Sequence, residues 1–175
     1  NGDLSDLRSQ IDAISLIHET LNETEDTEHI DFRWYIEKLL AHVFSLYGDR
    51  QVSVEVACDH PPLPTRSAVV LGVIVNELAT NAMKYGFVST EAAHFRVGLT
   101  CEEPSPSVGD ESATAVLSVS NSGGPFPAAI DLDSPDTLGL RLIQSLTYQL
   151  RGTLQLQREP HPTFTFRFPV EEKRG

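Results

Sequence analysis

Three polar side chains recur at helical spacing in the most apolar part of the chain. Residues 76–86 read NELATNAMKYG, and on a helix that advances about 100° per residue Glu77, Asn81 and Lys84 fall within about 60° of one another. A carboxylate in such a row can polarise a water, an amide oxygen can hold a divalent cation, and an ammonium group can contact a phosphate. The same row also fits a solvated helix face without function.

Two glycine-containing segments further along the chain could bring their backbones close to a ligand. In the segment SNSGGP, Asn121 ends a strand-like run and is followed by Gly123 and Gly124, which leave room for a close approach. In the segment TLGLRLI, Gly139 lies in the first turn of a predicted helix, where unpaired backbone N–H groups attract anions. Either segment alone is a weak signal, and the polar row with both segments, in this order, is a much stronger one.

Hydrophobic periodicity predicts the elements that must position these residues. The central helix, at 66–86, presents an apolar face to the core: Leu71, Ile74, Val75, Leu78 and Ala82. The other predicted elements are helices at 32–47 and 138–150, and strands at 52–56, 94–101, 114–120, 152–158 and 163–169. Residues 121–137 are predicted to form a loop. This order, with late antiparallel hairpins, predicts an α+β fold that carries helices on one face of a sheet.

The N-terminal segment predicts a helix of a different kind. Apolar residues and one histidine step by three and four along residues 4–21: Leu4, Leu7, Ile11, Ile14, His18 and Leu21. This heptad seam is too narrow to be buried by one helix, so we expect it to pair with a helix from another chain or from sequence outside this chain. The chain opens without Met, as a fragment would. We therefore divide it into an N-terminal helical arm, 1–25, and a main domain, 26–175.

Composition excludes several classes of partner. The chain has 175 residues, with 13 Lys and Arg against 25 Asp and Glu, which gives a formal net charge of −12. Nucleic acids and anionic membranes need a basic surface, so neither is expected as the main partner. No apolar run approaches the roughly 18 residues that cross a bilayer, and no signal peptide opens the chain. The two cysteines lack metal-type spacing, so a reducing, cytoplasmic location is expected.

The motifs quoted above resemble those of sensor histidine kinase catalytic domains, in the branch whose dimerisation hairpin is of the second HisKA type. Residues 76–87 resemble the N box, residues 121–127 the first Gly box and residues 138–143 the second. Residues 14–21 resemble the second helix of the hairpin. The resemblance implies the Bergerat fold of the GHKL ATPases. This fold is a two-layer α/β sandwich with a mixed sheet, here preceded by a bundle-type helix.

The resemblance also implies phosphoryl transfer from ATP with Mg²⁺. By family role Asn81 binds the metal ion, and Glu77 orients or deprotonates the attacking group. The implied nucleotide-contacting residues are Asn81, Lys84, Tyr85, Asn121, Gly123, Gly124, Leu138, Gly139 and Thr163. The γ-phosphoryl group would pass to a histidine on a hairpin helix and then to an aspartate of a response regulator. Catalysis of this kind depends on positioning and on neutralisation of charge.

The sequence departs from the family pattern in three ways. The phosphoacceptor motif is absent, and His18 lies on the helix that resembles the non-acceptor one, so we expect it to be a seam residue. Asn121 stands where the family has the aspartate that accepts from the adenine amino group. We expect its amide oxygen to accept there and its amide nitrogen to point elsewhere. The usual Gly-Thr before the last strand reads His161-Pro162, which leaves Thr163 as the nearest hydroxyl.

Two other functions stay open. A Bergerat domain that has lost ATP binding could serve as a docking or dimerisation scaffold, and the departures at Asn121 and His161-Pro162 favour this alternative. An anti-sigma-type serine kinase on the same fold is the other alternative, although such kinases do not need a helical arm. Homodimerisation through residues 4–21 is expected under the histidine kinase interpretation.

Overall fold

The computed structural model describes residues 11, 15, 28–47, 51–59, 63–87, 92–102 and 113–170. Of the predicted helix over 4–21, only Ile11 and Ser15 fall among these residues. Both are helical, and the Ile11 side chain is 60% exposed. The rest of that helix, with His18, lies outside the described residues.

The helices and strands follow the periodicity of the sequence closely. The helices are α1 (Phe32–Ser45), α2 (Thr65–Asn81) and α3 (Leu138–Gln149). The main strands are β2 (Val52–Cys58), β4 (Ala93–Glu102), β5 (Thr114–Asn121), β6 (Thr153–Gln157) and β7 (Thr163–Pro169). Two short strands, β1 (His29–Ile30) and β3 (Leu63–Pro64), pair with each other. The predicted elements of the main domain are therefore confirmed.

Five strands form one mixed sheet in the order β2-β4-β5-β7-β6. Strands β2 and β4 are parallel, with α2 in the connection between them, and the other three pairings are antiparallel. Residues on one face alternate with residues on the other, as the pleat of a strand requires. On the inner face Val97 pairs with Val119, and both are buried.

The core lies between this inner face and the helices. Helix α1 contributes side chains with no exposed surface, Tyr35, Ile36, Leu39 and Leu40. Helix α2 packs against both α1 and α3, and the face predicted to be apolar is buried. The result is an α+β, two-layer sandwich with the helices on one face, as predicted from the sequence. No described helix is long and apolar enough to cross a membrane.

The central helix does not keep α-helical geometry to its predicted end at residue 86. After Asn81 it widens into a π-helical turn, Ala82–Gly86, in which Phe87 N–H donates to the Ala82 carbonyl over 2.9 Å. Such turns are rare and often occur at functional sites. A step of about 100° per residue no longer applies beyond Asn81. The α-helical spacing that predicts Lys84 beside Glu77 therefore applies only to Glu77 and Asn81.

Candidate functional site

The Glu77 carboxylate on α2 lies against the first turn of α3. Glu77 is only 4% exposed, and Asn76 Nδ2 donates to its Oε1 over 3.5 Å. A Cβ added at Gly139 would lie 2.6 Å from Glu77 Oε2. Because glycine has no side chain, position 139 leaves room for this carboxylate. The N-terminal end of a helix is also its positive end, which is a favourable place for negative charge.

The start of α3 is held by side-chain hydrogen bonds to the segment that precedes it. Thr137 is the N-cap, and its Oγ1 accepts from Leu140 N–H over 3.4 Å. Arg141 Nε donates to the Pro135 carbonyl over 3.0 Å. Gln144 Nε2 donates to the Asp133 carbonyl over 3.2 Å. These bonds fix the direction from which the chain enters α3, and so they fix Gly139 beside Glu77.

The first glycine segment is tied to the π-helical turn. Asn121 Oδ1 accepts from Gly123 N–H over 2.9 Å, and the Gly86 carbonyl accepts from Gly124 N–H over 3.4 Å. A Cβ on Gly123 would lie 2.6 Å from Asn121 Oδ1 and 2.7 Å from the Gly86 carbonyl oxygen. Only glycine fits at position 123. The end of the polar helix and the glycine segment therefore form one packed unit.

The other side of the glycine segment is held by the side chain of His161 and by the backbone of His94. His161 Nδ1 donates to the Gly123 carbonyl over 2.8 Å. Ser122 N–H donates to the His94 carbonyl, and His94 N–H donates to Ser122 Oγ. Nothing in the sequence around His161 signals this contact, because the two segments are far apart along the chain. The departure at His161 thus adds an anchor for the glycine segment.

Most of the candidate residues are linked through the polar helix, on the side of the sheet that carries the helices. The Glu77–Gly139 contact joins the polar helix to α3, and the contacts of Gly86 join the same helix to Asn121 and Gly123. Asn81 and Lys84 are partly buried in this stretch, whereas Tyr85 is 72% exposed. Gly124 is exposed and Leu138 is 45% exposed.

Thr163 is positioned differently from Glu77. It pairs with Ser120 on the neighbouring strand, and both residues alternate with buried residues that face the helices. Its side chain therefore belongs to the outer face of the sheet. There it borders a groove of about 320 Å³ whose lining also includes Ser120, Asn121 and His161. The sheet separates Thr163 from Glu77.

The described residues contain no group of three or more His, Cys, Asp or Glu side chains that could hold a metal ion. A magnesium ion in this region would need further oxygen ligands besides the Asn81 amide oxygen. Mg²⁺ commonly takes them from water and from the phosphates of a substrate. Asn81 would therefore hold such an ion only together with those ligands.

One family model matches part of the chain. The family model HisKA_2, described as histidine kinase, matches residues 2–47. No curated protein sequence matches the chain.

Three solved structures are similar in fold. The histidine kinase domain of the Erythrobacter litoralis blue-light-activated histidine kinase has a TM-score of 0.76 at 18% identity, over 94% of this chain and 75% of that chain. A longer structure of that kinase has a TM-score of 0.79 at 18% identity and covers 99% of this chain, which spans 51% of its length. The Acinetobacter baumannii histidine kinase AdeS has a TM-score of 0.62 at 20% identity, over 97% of this chain and 77% of that chain. At these identities the matches show the fold alone: the chain has the fold of the histidine kinase domains in these structures.

Proposed function

We propose that this chain is the nucleotide-binding catalytic part of a two-component sensor histidine kinase. In this proposal residues 26–175 bind a nucleoside triphosphate, which is ATP in the family that the chain resembles. Residues 1–25 form one helix of the dimerisation hairpin. The γ-phosphoryl group passes to a histidine on such a hairpin and then to an aspartate of a response regulator.

The contact between Glu77 and Gly139 is the observation that carries this proposal. It joins two segments that are far apart in the sequence, and each resembles a different nucleotide-binding motif. A buried carboxylate at the N-terminal end of a helix lies beside backbone N–H groups that can receive a phosphate. A solvated helix face, the alternative for the polar row, would leave Glu77 exposed.

Each of the polar groups in this region has a separate role in phosphoryl transfer. Glu77 orients the attacking imidazole or takes its proton, and the first turn of α3 and Lys84 bind phosphate oxygens. Asn81 supplies an amide oxygen to Mg²⁺. When bound, that ion neutralises charge on the phosphates. The packed unit of Gly86, Asn121 and Gly123 forms the border of the base pocket.

Nucleotide titration of the intact chain tests the proposal. We expect ATP or GTP to bind in the presence of Mg²⁺, whereas Mg²⁺ alone does not bind. Asn81→Ala is expected to weaken binding of the magnesium complex about tenfold, a loss of roughly 1.4 kcal/mol, and to leave metal-free nucleotide binding nearly unchanged. Gln149→Ala, which removes an exposed amide at the end of α3, is the matched control.

Two results would contradict the proposal. If neither ATP nor GTP binds, the chain is a scaffold that has lost its nucleotide site. If Gln149→Ala weakens binding as much as Asn81→Ala does, the effect does not come from a metal ligand. Glu77→Gln adds a second measurement: it should still bind nucleotide, while transfer to a supplied histidine hairpin falls on the order of 100-fold. Glu37→Gln, an exposed position on α1, should transfer normally.

A further inference from the structure

The Asn121 side chain is oriented by a backbone group. Its Oδ1 accepts from Gly123 N–H over 2.9 Å, and an N–H group can only donate. The same oxygen faces Gly86, whose added Cβ would lie 3.3 Å from it. The amide oxygen therefore points into the glycine segment. This is the reverse of the orientation expected from the sequence, in which the oxygen met the ligand and the nitrogen pointed away.

The amide nitrogen is left as the free end of the side chain. Within the part of the chain that the structure describes, Asn121 Nδ2 has no hydrogen-bond partner, and the residue is only partly buried. Asn121 pairs with Phe95, which is buried on the inner face of the sheet. Asn121 therefore lies on the same side of the sheet as Glu77, with a hydrogen-bond donor at its tip.

An aspartate in the same conformation would present the opposite hydrogen-bonding group. One carboxylate oxygen would accept from Gly123 N–H, and the other would occupy the place of Nδ2. That second oxygen can only accept, as a purine amino group requires. Asparagine and aspartate have the same shape. Asn121 therefore presents a donor where aspartate would present an acceptor, and the space in the pocket is the same.

We propose that Asn121 makes this site selective for purine nucleotides with a carbonyl group at C6, the guanine and hypoxanthine nucleotides, over adenine nucleotides. The inference depends on the proposed nucleotide site. A C6 carbonyl oxygen accepts from Nδ2, whereas the amino group of adenine is a donor that faces another donor. A site that offers a hydrogen bond rejects the analogue that cannot make it.

Titrations of the intact chain with the magnesium complexes of ATP, GTP and ITP test this. ITP carries the C6 carbonyl of GTP but lacks its 2-amino group, so it isolates the C6 contact. We expect GTP and ITP to bind about fivefold to tenfold more tightly than ATP. Equal binding of all three, or tighter binding of ATP, overturns the inference and leaves the proposed kinase function standing. Binding of none overturns both.

Asn121→Asp gives the second measurement, with Ser120→Asp as its control. The first variant restores an acceptor and should reverse the order, so that ATP binds more tightly than GTP and ITP. Ser120→Asp adds the same charge one residue away, on the outer face of the sheet, and should keep the natural order. If both variants reverse the order, charge and not the hydrogen bond sets the preference, and the inference is wrong.

Discussion

The hydroxyl group of Tyr35 lies directly against the backbone of Gly72, where α1 packs on α2. A Cβ added at Gly72 would overlap this hydroxyl and come within 2.6 Å of two carbons of the ring. Tyr35 and Gly72 are both buried. The ring therefore fills space that only glycine leaves. This contact sets how closely the two helices approach above the sheet.

Gly72→Ala is expected to destabilise the domain by about 3 kcal/mol, because a methyl group in a filled core forces side chains and backbone to move. Denaturant unfolding measures the change. Gly98→Ala is the matched control, since a Cβ there meets nothing within 4 Å, and it should change stability by less than about 1 kcal/mol. Equal effects of the two substitutions would show that the Tyr35 ring can move aside at little cost.

Tyr35→Phe is expected to change how stability depends on pH. Burial raises the pKa of Tyr35 well above its ordinary value, and the hydroxyl has no hydrogen-bond partner among the described residues. Above a pH of about 10 the unfolded chain loses the phenol proton that the folded chain keeps, so the wild type loses about 1.4 kcal/mol per pH unit through this residue. The variant lacks this loss.

Unfolding curves of Tyr35→Phe and the wild type between pH 8 and pH 11 check this prediction. The difference in stability should be constant below about pH 10 and should grow in favour of the variant above it. The other tyrosines are common to both proteins and cancel. A difference that stays constant over the whole range would mean that the Tyr35 hydroxyl ionises in the folded state as easily as in the unfolded chain.

The main-domain elements could be predicted because burial on one face leaves a period in the sequence. Helix α2 shows this best: the residues of its predicted apolar face recur at helical spacing and are buried, Leu71, Ile74, Val75 and Leu78. The place of Thr163 could also have been predicted. It alternates with Phe164 and Phe166, so a buried phenylalanine on the inner face puts the threonine on the outer one.

The π-helical turn and the orientation of Asn121 could not be predicted in this way. The turn packs on a segment that is distant in the sequence, through Gly86 and Gly124. Asn121 is oriented by Gly123 N–H, two residues away, within a segment that His161 holds from a distant part of the chain. Periodicity describes one segment at a time and carries no signal for such contacts. The parallel pairing of β2 with β4 could not be predicted either, because it depends on the path of the chain between the two strands.

Self-association through residues 4–21 stays a prediction, and Ile11 offers a sharp test of it. Ile11 is helical and 60% exposed, and it occupies a seam position of the predicted heptad. Ile11→Asp should shift the chain from dimer to monomer in sedimentation experiments. Pairing of the seam would remove the carboxylate from water, and this desolvation destabilises the dimer. Leu46→Asp is the control, since Leu46 is 53% exposed outside this segment. A wild type that is monomeric at high concentration would exclude the dimer.

Gly139→Ala should separate function from stability. The added Cβ would lie 2.6 Å from Glu77 Oε2, the end of a flexible side chain that can turn away. Alanine also favours the helix by up to about 1 kcal/mol, so the free energy of unfolding should change little. The displaced carboxylate should nevertheless lower phosphoryl transfer to a supplied histidine hairpin on the order of 100-fold. Gly98→Ala should leave transfer at the wild-type level. Normal transfer by Gly139→Ala would mean that the contact between Glu77 and α3 does not hold the catalytic group.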